Sequence, residues 1–229
     1  VILDGIDELP IAELVPIISR ASQVVVFADL AQEHGEDAVE ALAEVLPHVR
    51  MDVRPTRLND QMALLLARYR VDHTGVPVPW TSDSAPVTAV WTEGTGMPTP
   101  GSEAVESTSV EVDAVVEAVL EHATSTPDRS LAVVALNSQH AERIRAQLTR
   151  TIGAEPGLAS FFDPARVEPF VVVDPDGARG LGRDHVIISV GFAKTPHGRV
   201  IHHFGVFSSP AGAGVMADVL RSVRGDLTV

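Results

Sequence analysis

The chain has 229 residues, a formal net charge of −14, 45% hydrophobic residues and no cysteine. This length suffices for one large α/β domain or two small ones, and the apolar content excludes disorder throughout the chain. Apolar runs such as those at 24–28 and 170–173 are too short to cross a bilayer, so we expect no membrane partner. The absence of cysteine excludes disulfides, thiol catalysis and thiolate metal sites, and it indicates a cytoplasmic location.

The charge balance bears on the choice of partner. There are 17 Lys and Arg residues against 31 Asp and Glu residues, so long-range electrostatics do not attract nucleic acid. Any contact with DNA or RNA therefore has to come from a local cationic patch. The chain opens and closes on apolar, strand-like sequence, at Val1 and Val229, and we expect it to be a piece of a longer protein.

Short apolar runs alternate with segments of helical periodicity. The pattern predicts strands over residues 1–4, 23–29, 87–91, 130–136, 170–173 and 184–192. It predicts helices over residues 10–21, 36–46, 58–70, 110–123, 140–150 and 216–223, the last before a closing strand. The strand at 23–29 has no polar face and is expected to be buried. Residues 92–107 have a loop composition. This alternation predicts an α/β fold with a mainly parallel sheet flanked by helices.

Ligands of open parallel sheets bind beyond the carboxyl ends of the strands. The polar residues that follow the predicted strands are Asp4, Asp29, Asn137, Asp174 and the turn at 177–184. Asp4 and Asp29 could hold Mg²⁺ through water or orient a nucleophile. Aspartates at strand ends are also common as helix caps and turn residues, so both interpretations stay open.

Several familiar chemistries lack their motifs. The glycine-rich turn at 177–182 is followed by an apolar strand and not by a helix, so it is expected to be a tight turn and not a phosphate loop. No Walker A sequence or Gly-x-Ser-x-Gly elbow is present. His202 and His203 are adjacent, which in a strand points them to opposite faces. The sequence therefore offers no support for triad catalysis or a histidine metal site.

Six segments nevertheless follow a shared order. They are VILDGIDELP at 1–10, QVVVFADLAQ at 23–32, Val53-Arg54, SLAVVALNSQHAERI at 130–144, the stretch 168–192 ending in VIISVGF, and 216–229. In this order they resemble the Walker B segment, motif III, motif IV, a strand–helix unit, motif V and motif VI of superfamily 1 DNA/RNA helicases. The similarity covers nearly the whole chain.

The resemblance implies a RecA-like fold of the P-loop NTPase type that lacks the P-loop. Residues 1–35 would be the trailing part of the first motor domain and residues 36–229 the second motor domain. ATP and Mg²⁺ would bind in the longer protein, and none is expected on this piece alone. The resemblance implies catalytic roles for Asp4, which would hold Mg²⁺ indirectly, for Gln32 and for Arg221. It implies nucleotide contacts by Asp29, Arg54, Gly180 and Asp184.

Three departures from the helicase pattern concern the hydrolysis step. Gly5 stands where the Walker B glutamate would act as general base, and Gly182 stands at the motif V glutamate. The motif VI Thr-Arg pair falls on Arg221-Ser222, which displaces the arginine finger. The resemblance therefore predicts a helicase with impaired ATP hydrolysis.

The partners implied are nucleic acid, DNA in preference to RNA, and the missing N-terminal motor domain. Arg143, Arg145 and Arg150 on one predicted helix are candidates for a nucleic-acid track, although a solvated helix face explains them equally well. Two alternatives remain. The chain could be a catalytically inactive helicase-like interaction or regulatory module, or an unrelated acidic α/β enzyme that uses Asp4 and Asp29.

Overall fold

A computed structural model describes residues 1–4, 6, 10–28, 36–49, 57–59, 65, 76–78, 87–97, 105, 107–153, 156–200, 203–209 and 212–229. The strands in these ranges are β1 (Ile2–Asp4), β2 (Val25–Phe27), β3 (Arg57–Asn59), β4 (Val76–Val78), β5 (Val87–Thr88), β6 (Leu131–Ala135), β7 (Val171–Val173), β8 (Arg183–Ser189) and β9 (Val223–Thr228). The helices are α1 (Ile11–Ile18), α2 (Glu36–Val45), α3 (Ser109–Ser125), α4 (Ser138–Ile152) and α5 (Gly212–Arg221).

The main sheet has five parallel strands in the order β5-β9-β8-β6-β7. Strand β6, which pairs with both β8 and β7, is completely buried because helices cover both faces of the sheet. Alternate β6 residues enter two cores: Leu131 and Val133 pack with α3 and α4, while Val134 packs with α5. This α/β architecture is the one expected from the alternation of elements, and it is consistent with a RecA-like fold.

Side-chain caps begin the two helices that pack on one face of this sheet. The Thr108 hydroxyl accepts a hydrogen bond from the Glu111 amide at 3.0 Å at the start of α3. The Asn137 side-chain oxygen, Oδ1, accepts one from the His140 amide at 2.7 Å at the start of α4. Each cap satisfies a backbone donor that the helix cannot pair, and only two residues separate the end of β6 from the start of α4.

The first 28 residues form a separate parallel pair, β1 with β2, in register from Ile2↔Val25 to Asp4↔Phe27. Ile6 and Leu14 are the buried residues of its small core. The prediction of a buried strand at 23–29 is wrong for the described part, because Val25 is 41% exposed and Phe27 is 45% exposed. Among the described strands β2 pairs only with β1, so little covers it.

Other elements differ from their predicted bounds. Residues 58 and 59 belong to strand β3 and not to a helix, because β3 pairs in parallel with β4, a strand that the apolar pattern did not predict. Leu65 is helical, and the rest of the predicted helix at 58–70 lies outside the described residues. Helix α5 begins at Gly212 and ends at Arg221, so Val223 starts the closing strand. His203 lies outside any strand, and His202 is not described.

Among the helices of the described ranges, none combines the length and the apolar character that a membrane span requires.

Candidate functional site

Asn137 and Asp174 follow β6 and β7 at the carboxyl edge of the sheet, where ligands of parallel sheets bind. Both side chains contact other residues of the chain. Asn137 caps α4, and its side-chain amide also donates to the Gly191 carbonyl at 3.3 Å. Asp174 accepts hydrogen bonds from the Ser138 hydroxyl at 2.8 Å and from the Gly177 amide at 3.2 Å. The bond from Ser138 is the main reason why the pKa of Asp174 lies below its usual value. These side chains fix a helix start and a turn.

A buried polar network lies beside them, centred on His140, which is 1% exposed. One ring nitrogen of His140, Nδ1, lies 2.7 Å from the Ser107 hydroxyl, and the other, Nε2, lies 2.7 Å from the Ser189 hydroxyl. The Glu111 carboxylate accepts from the Ser189 hydroxyl and from the Gly191 amide, both at 2.8 Å. The network thus ties the end of β8 to α3 and α4.

The ionisation of Glu111 follows from these bonds. Burial raises the pKa of a carboxyl, but hydrogen bonds from His140, Gly191 and Ser189 outweigh it and hold the pKa of Glu111 below its usual value. Glu111 therefore stays ionised at neutral pH. Ser189 and His140 resemble part of a nucleophile–base pair, but both are buried, so no substrate can approach the hydroxyl. We assign this network a structural role.

Sequence reasoning did not predict this network. Thr108 and Glu111 have the spacing of a capping box, in which the glutamate would turn back to its own helix start. The carboxylate instead crosses to β8, because Gly191 and Ser189 offer two donors there. The spacing could have drawn attention to Glu111, but its partners lie about 80 residues further along the chain and no local pattern reveals them.

The candidate nucleotide residue Asp184 lies at the opposite, amino edge of the sheet, near the start of β8. Its carboxylate accepts from the Ser130 amide at 3.0 Å and from the Arg224 guanidinium at 3.0 Å. Arg224 also makes a two-pronged ion pair with Glu168, whose pKa it lowers to about 2. Asp184 is therefore occupied in joining the starts of β6, β8 and β9.

A second arginine pair surrounds a buried carboxylate. Asp218 on α5 accepts from Arg179 Nε at 3.1 Å and from an Nη atom of Arg221 at 2.9 Å. The Asp218 side chain is 8% exposed, while those of Arg179 and Arg221 are 35% and 34% exposed. Gly180 follows Arg179 with φ +67° and open space around its Cα. The structure thus brings the candidates Gly180 and Arg221 to one neighbourhood through Arg179 and Asp218.

The three arginines proposed as a nucleic-acid track are not aligned. Arg143 donates to the carbonyl and hydroxyl oxygens of Ser107. Arg145 donates from Nε and Nη2 to the Val172 carbonyl of β7 at 2.9 and 2.8 Å. Arg150 bonds Gln147 on its own helix at 2.6 Å. Arg143 and Arg150 share a groove between α3 and α4, and Arg145 faces β7 instead.

The remaining candidates belong to the first segment. Asp4 is exposed at the carboxyl end of β1. Asp29, Gln32 and Arg54 lie outside the described residues, so their expected convergence with Asp4 stays a prediction. No group of three or more potential metal ligands occurs in the part of the chain that the structure describes.

The fold and these contacts define an α/β protein whose five-stranded parallel sheet is flanked by helices. Comparisons with known proteins do not narrow this assignment beyond the fold class. No protein-family model matches the chain, and no curated protein matches its sequence. Among solved structures it is similar to the C-terminal domain of a possible DNA helicase from Lactobacillus plantarum, at TM-score 0.41 and 14% identity, over 76% of this chain and 84% of that chain. A similarity at this level assigns no function to the chain.

Proposed function

We propose that this chain is the C-terminal portion of a superfamily 1 DNA/RNA helicase, an ATP-dependent nucleic-acid translocase with impaired ATP hydrolysis. The observation that carries the proposal is the bridge from Arg179 through Asp218 to Arg221. It joins the segment that resembles motif V to the segment that resembles motif VI. Arg179 and Asp218, which make this contact, are 39 residues apart in the chain. Both segments contact nucleotide in the helicases that the sequence resembles.

The charges of this cluster suit a phosphate-facing surface. Two guanidinium groups, those of Arg179 and Arg221, contact one buried carboxylate in a chain of net charge −14. Arginine is the side chain that best matches phosphate geometry. Ser222, the alternative finger position, is 2% exposed and its hydroxyl bonds the Val219 carbonyl, so a side chain there cannot reach a ligand. Arg221 is therefore the residue we assign to the γ-phosphate.

The exposed apolar surface of the first segment supports the position of this chain within a longer protein. Ile2 is 73% exposed, Val15 is 56% exposed and Phe27 is 45% exposed. Within the described residues this sheet has only the strands β1 and β2, so its exposed apolar surface is open to a further strand or helix. We propose that the rest of a first motor domain covers this surface and that ATP and Mg²⁺ bind there, with Asp4 near the metal.

ATP turnover in the longer protein tests the proposal. We expect slow hydrolysis with or without single-stranded nucleic acid, because neither Gly5 nor Gly182 can supply a carboxylate to the attacking water. Introducing both glutamates, Gly5→Glu with Gly182→Glu, is expected to raise nucleic-acid-stimulated turnover. Among the described residues, an added Cβ at Gly182 meets the flexible Arg224 side chain, at 3.4 Å, so a side chain at this position is compatible with the described fold.

The matched control adds Arg221→Ala to the doubly substituted protein, which should remove the gained turnover because the finger is lost. Rapid hydrolysis by the unsubstituted longer protein would contradict the claim of impaired hydrolysis. Failure of that protein to bind ATP at all would contradict the helicase assignment itself. That second result would favour the unrelated acidic enzyme, whose activity would then depend on Asp4 and Asp29.

The alternative of an inactive interaction or regulatory module has its own supporting observation. The guanidinium groups of Arg143 and Arg145 donate to main-chain oxygens of Ser107 and Val172, which leaves fewer of their donors for nucleic acid. A module of this kind would bind ATP without stimulation by nucleic acid. Nucleic-acid-dependent turnover in the protein with both glutamates distinguishes a motor domain from this module.

A further inference from the structure

We propose that the hairpin at residues 194–200, together with Trp91, is the contact surface for a single strand of nucleic acid. We call this set the hairpin surface. The inference rests on the proposed function for the choice of nucleic acid as ligand. Its residues follow from the structure, and none of them belongs to the arginine track that the sequence suggested.

The hairpin begins at Lys194, five residues after the last residue of β8, Ser189, and it reverses direction between Thr195 and Gly198. Lys194 pairs with Val200 in an antiparallel bridge, and the Thr195 amide donates to the Arg199 carbonyl at 2.9 Å. The Gly198 amide closes the turn on the Thr195 carbonyl at 2.8 Å, with Gly198 at φ +76°. These bonds define the shape of the hairpin, while the side chains of Lys194 and Arg199 are exposed.

The charge of the hairpin is opposite to that of the chain. Lys194 is the only lysine of the 229 residues, and residues 190–200 contain no Asp or Glu. Among the described residues, none forms an ion pair or hydrogen bond with the side chain of Lys194 or Arg199, whereas Arg143, Arg145 and Arg224 are bonded internally. Unpaired cations on an acidic protein are available for phosphates, which are attracted at short range only.

Trp91 supplies an aromatic surface next to these cations. It is 92% exposed, although tryptophan is normally among the more buried residues. The segment that carries it runs from β5 to Thr95, which forms a parallel bridge with Lys194, and the Gly96 amide donates to the Lys194 carbonyl at 2.9 Å. Trp91 is four positions before Thr95, so the Cα atoms of these two residues are at most about 14 Å apart. A few nucleotides of single strand span that distance.

The base of the hairpin is held by the buried network described above. Gly191, three residues before Lys194, donates to Glu111 and accepts from Asn137. The surface is therefore preorganised, so that binding does not have to order the residues from which the hairpin extends. Glu93 is the one acidic residue among residues 87–97, and it opposes binding.

The combination favours nucleic acid over an acidic peptide. Aromatic side chains stack on the faces of successive bases, and neighbouring cations neutralise the backbone. An acidic peptide would use Lys194 and Arg199 but would gain little from Trp91. The two partners therefore differ in how strongly they depend on the indole ring, and the test exploits this difference.

The experiment measures binding of a fluorescent single-stranded oligonucleotide, as DNA and as RNA, to the 229-residue chain at low salt. Trp91→Ala is expected to weaken binding about tenfold or more, because one stacked base is lost, and Trp91→Phe should restore most of it. The slope of log affinity against log salt is negative, and the double variant Lys194→Ala with Arg199→Ala should make it less steep by about 1.4. Glu93→Gln should strengthen binding.

Arg20→Ala is the matched control, because Arg20 is an exposed cation near the end of α1, outside the hairpin surface, and this variant should bind as the unsubstituted chain does. Equal affinities for Trp91→Ala and the unsubstituted chain would overturn the inference. So would a polyglutamate peptide of equal charge that binds as tightly as the oligonucleotide.

The outcome separates this inference from the proposed function. If the longer protein binds ATP and responds to nucleic acid while the hairpin variants change neither affinity nor salt dependence, the function stands and the hairpin surface is wrong. If the chain binds a single strand through the hairpin surface but the longer protein never binds ATP, the inference stands and the helicase assignment fails.

Discussion

Replacing Gly191 by alanine is expected to destabilise the protein by about 2–5 kcal/mol. Gly191 has φ +69°, a conformation that costs other residues roughly 1–2 kcal/mol. An added Cβ would also lie 2.6 Å from the His140 ring and 2.9 Å from the Asn137 side-chain nitrogen. Both neighbours are held by their own hydrogen bonds, so the clash displaces the buried network and adds about 1–3 kcal/mol.

Gly180→Ala is the matched control for this substitution. Gly180 has nearly the same backbone conformation, φ +67°, but nothing lies within 4 Å of an added Cβ. We expect it to cost only the conformational part, about 1–2 kcal/mol. Urea unfolding of the two variants measures the difference directly. Equal destabilisation by both substitutions would show that the His140 network does not constrain the end of β8.

Acidification from pH 7.5 to pH 5 is expected to destabilise the protein by about 2 kcal/mol through a pair of histidines. His122 Nδ1 and His185 Nδ1 lie 3.1 Å apart, His122 Nε2 faces the Arg129 carbonyl at 3.1 Å, and His185 Nε2 faces the Thr228 hydroxyl at 2.9 Å. A consistent arrangement has each ring neutral, with His185 donating to His122. A second proton on His122 would set its Nδ1–H against the Nδ1–H of His185, and a second proton on His185 would place a charged ring beside His122 in a largely buried site.

The direction of the pH effect follows from the pKa values. Burial lowers the pKa of His185 to about 4, with His122 adding to the effect, and burial also lowers the pKa of His122. A histidine whose pKa is lower in the folded state contributes stability above its unfolded value, about 6.5, and that stability falls as the pH approaches 4. The maximum contribution of His185 is about 3 kcal/mol.

Urea unfolding across this pH range checks the prediction. His185→Gln should lower stability at pH 7.5 and flatten its dependence on pH, because glutamine does not titrate. His203→Gln is the control, since His203 is exposed, and this variant should retain the full dependence. The carboxylates with lowered pKa values, such as Glu168 and Asp184, affect stability mainly at lower pH. If the His185→Gln variant loses as much stability between pH 7.5 and pH 5 as the unsubstituted protein, the pH effect does not come from His185.

The main sheet is predictable from the sequence because its strands are short apolar runs whose identity is set locally. The runs at 130–136 and 184–192 became β6 and β8 with small changes at their ends. The strand at 23–29 was expected to be buried for the same reason, but burial also requires neighbouring strands, and the described residues provide β2 with β1 alone. Strand β4 was missed because Val76–Val78 contains a proline and only three residues.

The site was less predictable than the fold, because its contacts join residues far apart in the chain. The rule for strand ends placed Asn137 and Asp174 at the carboxyl edge of the sheet, where they lie. Only the structure shows that Asn137 caps a helix and that Asp174 holds a turn. Helical spacing put Arg143 and Arg145 on one helix, whereas their orientation depends on β7 and on the loop before α3. The hairpin surface depends on a bridge between Thr95 and Lys194, which no periodicity in either segment predicts.

The central claim is that the turn around Gly180 and the end of α5 form a nucleotide-facing surface inherited from a helicase motor. Photo-crosslinking of the longer protein with an ATP analogue that carries an aryl azide on its γ-phosphate, followed by mapping of the labelled peptides, tests it most directly. We expect saturable labelling of peptides that contain Arg179 or Arg221, reduced by Arg221→Ala and by competing ATP. Saturable labelling confined to peptides that contain neither residue, or no saturable labelling, would contradict the claim.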